Sequence, residues 1–236
     1  MHIRLFHKTN SRSQRILWLL EELQLDYELI FCNNDPENSN LDQIENQNLP
    51  TKFPTVKIYG NDPSDIITLA ETAAISDYLS YLSNDLGISQ LNPQEVHLYY
   101  YWKNFTEATF MPDLALKQIF TAIIAKTPLV IRPVSQLLKF GFDRGYLNNA
   151  LNQHMLKINE HLKDHAYIAG NHFTIADLLL WFPLLACVQS SPTFERLQHI
   201  QCYLLQIQSR PAFQRALEKG QWSAPIFKLY WSKAWS

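Results

Sequence analysis

The sequence predicts an α/β domain over residues 1–83 followed by an all-helical domain over residues 93–236. Three observations carry that prediction. Short β-branched and aromatic runs alternate with helical patterns up to residue 83, which favours a mixed sheet with helices on both faces. Residues 84–93 have the composition of a linker. Every apolar pattern beyond them has a helical period.

Taken in order, His2-Ile3-Arg4-Leu5-Phe6-His7 alternates as a strand should. Asn10-Ser11-Arg12-Ser13 is a loop rich in helix-capping residues, and Ile16, Leu17, Leu19, Leu20 and Leu23 then recur at helical spacing. Residues 27–31 read as a second strand, and the polar stretch 35–47 as an irregular helix. Phe53-Pro54-Thr55-Val56-Lys57-Ile58 and the run starting at Ile66 read as two strands joined by a loop. Pro54 cannot donate a ladder hydrogen bond, so it suits an edge, a turn or a cis bond. A helix opens at Glu71-Thr72, and its unpaired N–H groups can hold an anionic group.

In the second half, residues 94–124 form a long aromatic-rich helix that Pro112 should kink or split. Pro128 and Pro133 bracket a turn, and Gly141 and Gly145 interrupt or bend the helical segment after it. Residues 147–162 are amphipathic. Residues 174–188 are apolar nearly all round and predict a buried central helix, distorted at Pro183. Helices over 197–207 and 212–219 complete the set. The tail 221–236 contains Trp222, Trp231 and Trp235 and is expected to pack back on the body.

Composition narrows the function classes. A net charge of −2 predicts no nucleic-acid partner. Apolar runs are cut short by charges, so neither a membrane-spanning segment nor a membrane partner is expected. No signal-peptide pattern opens the chain. The cysteines, Cys32, Cys187 and Cys202, are odd in number and widely spaced, which suits a reducing, cytoplasmic setting. No Cys-x-x-Cys is present. His154, His161 and His165 lack the further ligands a zinc site needs and read as surface histidines, so no metal is expected.

The chemical candidate is Asn10-Ser11-Arg12-Ser13-Gln14-Arg15. From the residues alone, Ser11 or Ser13 reads as an N-cap for the helix after it. A helix N-terminus can also hold a thiol as its thiolate, with a hydroxyl adding one directed hydrogen bond.

Ser11-x-x-x-Arg15 followed by Ile16-Leu17-Trp18-Leu19-Leu20-Glu21-Glu22-Leu23, the Phe53-Pro54 strand and the Glu71-Thr72 pair together resemble the serine-type soluble glutathione S-transferases of the bacterial and fungal branch. Phe173-Thr174-Ile175-Ala176-Asp177-Leu178 is similar to the capping box at the centre of that family's helical domain, and Tyr101-Trp102-x-x-Phe105-x-Glu107-Ala108-x-x-Met111-Pro112 to the same branch. The resemblance implies a thioredoxin-like first domain, glutathione as co-substrate rather than any cofactor, a hydrophobic electrophile, a role in detoxification, and a homodimer. It implies that Ser11 meets the thiol, with Ser13 and Asn10 as alternatives. It also implies that Glu71 and Thr72 hold the γ-glutamyl end, that Phe53 beside Pro54 pairs with the cysteinyl backbone, and that Lys52 lies near a ligand carboxylate. Phe105, Thr109 and Met111 are the implied electrophile pocket, although their spacing alone reads as core. Thr51 stands where the family has a small residue, and Thr72 where it has Ser. A glutathione-dependent peroxidase or disulfide reductase, and a non-catalytic interaction protein, are the other functions this fold carries.

Overall fold

A computed structural model describes residues 2–32, 52–60, 62 and 65–235. The helix expected over 35–47, and Thr51, lie outside the described residues. Packing divides the chain into two compact units. One comprises Met1–Gln90 with Ile207–Ala224, the other Leu91–Gln206 with Pro225–Ser236. The expected boundaries assigned everything after residue 93 to the second domain, whereas residues 207–224 pack with the first.

The first unit is built on a four-stranded sheet of order β2-β1-β3-β4, from β1 (His2–His7), β2 (Tyr27–Phe31), β3 (Thr55–Tyr59) and β4 (Ile66–Ala70). β1 runs parallel to β2 with Leu5 opposite Leu29, and antiparallel to β3 with Leu5 opposite Val56. β3 and β4 are antiparallel, so the sheet is mixed, as the element order predicts. The Phe53–Pro54 bond that leads into β3 is cis. α1 (Ser13–Glu22) comes after β1, and α2 (Thr72–Ser83) after β4.

α1 is buried from Ser13 to Glu21, polar residues included. Its cover is α9 (Pro211–Lys219), which explains why residues 207–224 belong to this unit. Phe213 packs edge-on against Trp18 at 4.9 Å. Gln14 Nε2 donates to the Ala216 carbonyl at 2.6 Å, and Arg210 grips Glu22 with two hydrogen bonds of 2.6 and 2.9 Å. Arg215 pairs with Glu21 at 2.7 Å. At the end of α9, a Cβ on Gly220 would sit 2.3 Å from Gln14 Oε1, so only glycine allows this approach.

In the second unit the helix expected to kink or split at Pro112 is distorted but not split: α3 (Pro93–Phe105) runs on into α4 (Met111–Lys126) through a π-helical turn, Thr106–Phe110. Proline has no N–H for the carbonyl four residues back, and widening one turn absorbs that loss without a break. A second π turn, Asp143–Leu147, joins α5 (Arg132–Phe142) to α6 (Asn148–His161), again in place of an interruption at Gly141 and Gly145. α7 (Ile175–Ser190) is the buried central helix and continues through Pro183. α8 (Gln198–Gln208) comes next. The tail forms α10 (Ala224–Trp235), whose Phe227 and Trp231 pack on Phe182 at 5.3 and 6.1 Å. The three histidines are half-buried rather than on the open surface. His154 meets Asp113 at 2.8 Å, and His161 and His165 meet the carbonyls of Ile168 and His161, each at 2.9 Å.

Thr174 and Asp177 form the expected capping box. Thr174 Oγ1 accepts from Ala176 N at 3.2 Å, and Asp177 accepts from Thr174 N at 2.9 Å. Asp177 also takes the Ile168 N–H at 2.7 Å and the Tyr203 hydroxyl at 2.9 Å. Burial pushes its carboxyl up to about 6 in spite of these donors. Asp177→Ala strands several buried donors and is expected to cost at least ~3 kcal/mol, against about 1 kcal/mol for Thr174→Ala. Urea denaturation of the two variants measures the difference, and equal losses would reduce Asp177 to a simple cap partner.

Candidate active site

The turn between β1 and α1, the cis-Pro54 turn and the start of α2 surround one hollow of about 480 Å³ in the first unit. It is lined by Lys8, Ser11, Arg12, Lys52, Phe53, Pro54, Glu71 and Thr72. Ser11 and the five expected glutathione contacts therefore share one cavity, although the sequence separates them into three segments.

Ser13 does not cap α1, whereas Ser11 makes the capping-type bond from one residue before the helix's cap position. Arg12 occupies the cap position and makes no side-chain capping bond. Ser11 Oγ lies 2.8 Å from the Lys8 carbonyl and 2.9 Å from Ser13 Oγ, and it accepts the Ser13 N–H at 3.2 Å. Ser13 is fully buried and sits 2.9 Å from His7 Nδ1. His7 Nε2 faces the Gly220 carbonyl at 3.0 Å. A carbonyl only accepts, so Nε2 carries the proton. Burial lowers the His7 pKa to about 4, which leaves the ring neutral and Nδ1 an acceptor. Ser13 must then donate to His7, while its own oxygen accepts the Lys8 N–H at 3.0 Å. The Ser11 proton, on Lys8 O or Ser13, is the one on the cavity side of this network. Asn10 is turned elsewhere: its Oδ1 accepts the Ser223 N–H at 2.7 Å.

On the opposite wall Glu71 holds the cap position of α2 with φ 71 and ψ 120, outside the regions that side chains favour. Such a conformation costs on the order of 1–3 kcal/mol and persists where the surroundings enforce it, often at functional sites. The Glu71 carboxylate meets Lys52 Nζ at 3.2 Å, and both side chains are mostly exposed, at 69% and 74%. Thr72 is buried at the first turn of α2, and its hydroxyl accepts from Arg15 at 3.3 Å. Lys8, Arg12 and Lys52 against Glu71 give the hollow an excess of positive charge, suited to a ligand with more than one carboxylate and one amine. Sequence reading includes Arg12 in the candidate stretch without a role of its own and leaves out Lys8 and His7. The two cations stand in or beside the capping loop as a visible signal, whereas nothing local marks His7.

The expected electrophile-pocket residues divide between core and solvent in the second unit. Phe105 packs against Trp102 and His154 at 5.4 and 5.1 Å, Met111 is buried, and Thr109 is exposed. Cys32 is half-buried, with its thiol pushed up by burial, which suits packing rather than reactivity. Among the described residues no group of three or more His, Cys, Asp or Glu is placed to hold a metal ion.

Two family models match the chain: "Glutathione S-transferase, N-terminal domain" over residues 11–81 and "Glutathione S-transferase, C-terminal domain" over residues 146–211, together more than half of it. Glutathione S-transferase 3 of Schizosaccharomyces pombe is 28% identical over 224 residues, which cover 91% of this chain and 86% of that protein. Among solved structures, a glutathione S-transferase from Actinobacillus pleuropneumoniae superposes with a TM-score of 0.70 at 24% identity, covering 97% of this chain and 99% of its own. A glutathione transferase from Pseudomonas putida with glutathione disulfide bound superposes with 0.68 at 20% identity, over 92% of this chain and 91% of its own. These superpositions establish the fold.

The buried neutral His7 has a consequence for stability. Its folded pKa lies below the unfolded value of about 6.5, so the unfolded state binds the extra proton. Its contribution is therefore complete above pH ~6.5 and lost as pH falls toward 4, by roughly 3 kcal/mol in all. Denaturant titrations of wild type and His7→Gln across this range are expected to show a steeper acid loss in wild type. Parallel profiles would exclude His7 as the cause.

Proposed function

The chain belongs to the glutathione S-transferase family, and on that basis we propose that it holds glutathione in the hollow around Ser11 and directs its thiolate at a hydrophobic electrophile. The observation that carries the reading is the convergence of Ser11, Lys52, Phe53, Pro54, Glu71 and Thr72 on one cavity.

Each wall then has a role. The Glu71 carboxylate takes the γ-glutamyl amine in place of Lys52, and the start of α2 at Thr72 takes the neighbouring carboxylate. Phe53 pairs its backbone with the cysteinyl unit. Lys8, Arg12 and Lys52 favour the remaining carboxylate. Ser11 turns its proton from the Lys8 carbonyl to the sulfur and stabilises the thiolate, which forms the new sulfur–carbon bond as the electrophile's leaving group departs. Ser13 is buried and commits its proton to His7, and Asn10 is held by the Ser223 N–H, so the geometry supports Ser11 as the thiol contact. The protein contributes position and charge stabilisation rather than a covalent nucleophile. A homodimer, and detoxification as the setting, belong to the same proposal.

Ultraviolet difference titration of bound glutathione tests it. Wild type is expected to hold thiolate at neutral pH, and Ser11→Ala to need a pH higher by about one unit, with kcat/KM lowered roughly ten- to a hundredfold. Glu71→Gln is expected to raise KM for glutathione with little change in kcat. Equal thiolate in wild type and Ser11→Ala would move the role to the helix end. Failure of wild type to bind glutathione would overturn the reading.

A further inference from the structure

We propose that the hairpin formed by α4 and α5, with the outer face of α10 beside it, is a docking surface for an anionic lipid membrane. The hairpin exposes a run of large apolar side chains that a water-facing surface does not need. Val130 is 91% exposed, Leu129 75%, Leu137 69% and Leu138 65%, and Ile131 and Val134 are more than half exposed. Val134, Leu137 and Leu138 recur at i, i+3, i+4 and so share one face of α5. An 18-residue window of the continuous helix Pro93–Lys126 has a mean hydropathy of 1.2, yet only 28% of it is buried. That helix is anchored in its own unit by Tyr99, Trp102, Phe110 and Leu114, all buried. Such a surface is placed to lie in an interface rather than to span a bilayer. The expectation of no membrane partner rests on the lack of a spanning run and does not bear on a surface of this kind.

Charge selects the occupant. The whole chain carries a net charge of −2, but residues 114–142 contain no Asp or Glu, and beside the buried Lys117 and Lys139 they carry Lys126 and Arg132 toward the surface. Residues 225–236 likewise contain no Asp or Glu and carry Lys228 and Lys233. α10 lies next to the hairpin: Lys233 and Trp235 line a hollow of about 830 Å³ with Ile124, Ala125 and Phe140, and Lys117 Nζ lies 5.3 Å from the Trp235 ring. The adjoining carboxylate, Asp143, is already taken by Lys117 at 3.1 Å and Lys139 at 3.0 Å. Exposed apolar side chains with Lys126, Arg132, Lys228 and Lys233 on the segments around them match the boundary of an anionic leaflet. A second copy of the chain on the same face would bring together two patches of the same net positive charge, because a two-fold contact buries the same patch on both subunits.

Co-sedimentation of the full chain with vesicles is the test, using pure phosphatidylcholine and phosphatidylcholine mixed with phosphatidylserine. Wild type is expected to sediment with the anionic vesicles, less so at raised salt, and far less with the neutral ones. Val130→Asp combined with Leu137→Asp is expected to lower the bound fraction about tenfold. Lys126→Glu with Lys228→Glu changes only exposed positions and is expected to remove the preference for phosphatidylserine, at about fivefold per cation. Circular dichroism checks that both variants fold, and the charge variant decides if the apolar one does not. Wild type left in the supernatant, or binding that neither variant alters, would overturn the proposal. So would light scattering in which the folded apolar variant turns a dimer into a monomer while wild type ignores the vesicles, because that would make the face a contact between copies.

Discussion

A helix buried on every side must satisfy its polar residues as well as its apolar ones, and α1 is such a helix. Its Ile16, Leu17, Trp18, Leu19 and Leu20 need only apolar neighbours, but Gln14, Arg15 and Glu21 are buried beside them. An unmet polar group there would cost on the order of 1–3 kcal/mol, and an unmet charge more. α9 meets much of that requirement, through the Ala216 carbonyl for the Gln14 amide N–H and through Arg215 and Lys219 for Glu21. The chain must therefore return, after its second unit, to complete its first. The same return brings the Gly220 carbonyl to His7 and the Ser223 N–H to Asn10, and so fixes the loop that carries Ser11.

Arg15 extends that constraint across the candidate site. Its guanidinium reaches from α1 to the Thr72 hydroxyl at the start of α2. The helix that carries the Ser11 wall of the cavity and the Thr72 wall are thus tied by one buried side chain. The exposed charges behave differently. Lys52 and Glu71 are paired but open to solvent, where an ion pair contributes ~0–1 kcal/mol. A ligand amine can displace Lys52 from Glu71 at little cost, whereas displacing Arg15 would leave a buried charge. Rigid groups set the geometry and exposed ones remain available for exchange.

The range of each interaction decides how much of the fold and site is legible in the sequence. Strands, the helix start at Glu71-Thr72 and the Thr174–Asp177 box rest on neighbours a few residues apart, and each is readable, whereas Pro54 alone leaves an edge, a turn or a cis bond open. Helix periodicity places the central α7 for the same reason. The contact of His7 with Gly220 spans 213 positions, and no local pattern records it. The local rule for Pro112 predicts a kink or a split, and with Phe110 and Leu114 buried on either side the chain takes a widened turn without a split. Ser11 and Ser13 read as caps because capping is the common use of serine before a helix. His7, arriving from the adjacent strand, claims Ser13 instead, and Ser13 in turn orders Ser11.

That ordering bears on how much a serine can contribute to thiolate stabilisation. Before ligand binds, the Ser11 hydroxyl already has a neutral acceptor, the Lys8 carbonyl at 2.8 Å. Turning to a thiolate exchanges a neutral hydrogen bond for a charge-assisted one, a gain of about 1 kcal/mol. Depressing a thiol pKa by two units requires about 2.7 kcal/mol. The remainder must come from charge already fixed around the cavity, for which Lys8, Arg12 and the N-terminal end of α1 are the sources. Under the proposed function the hydroxyl would then supply direction, and the field of the loop most of the energy. A site divided in this way keeps part of its thiolate stabilisation when the serine is lost, because the helix end and the two cations remain.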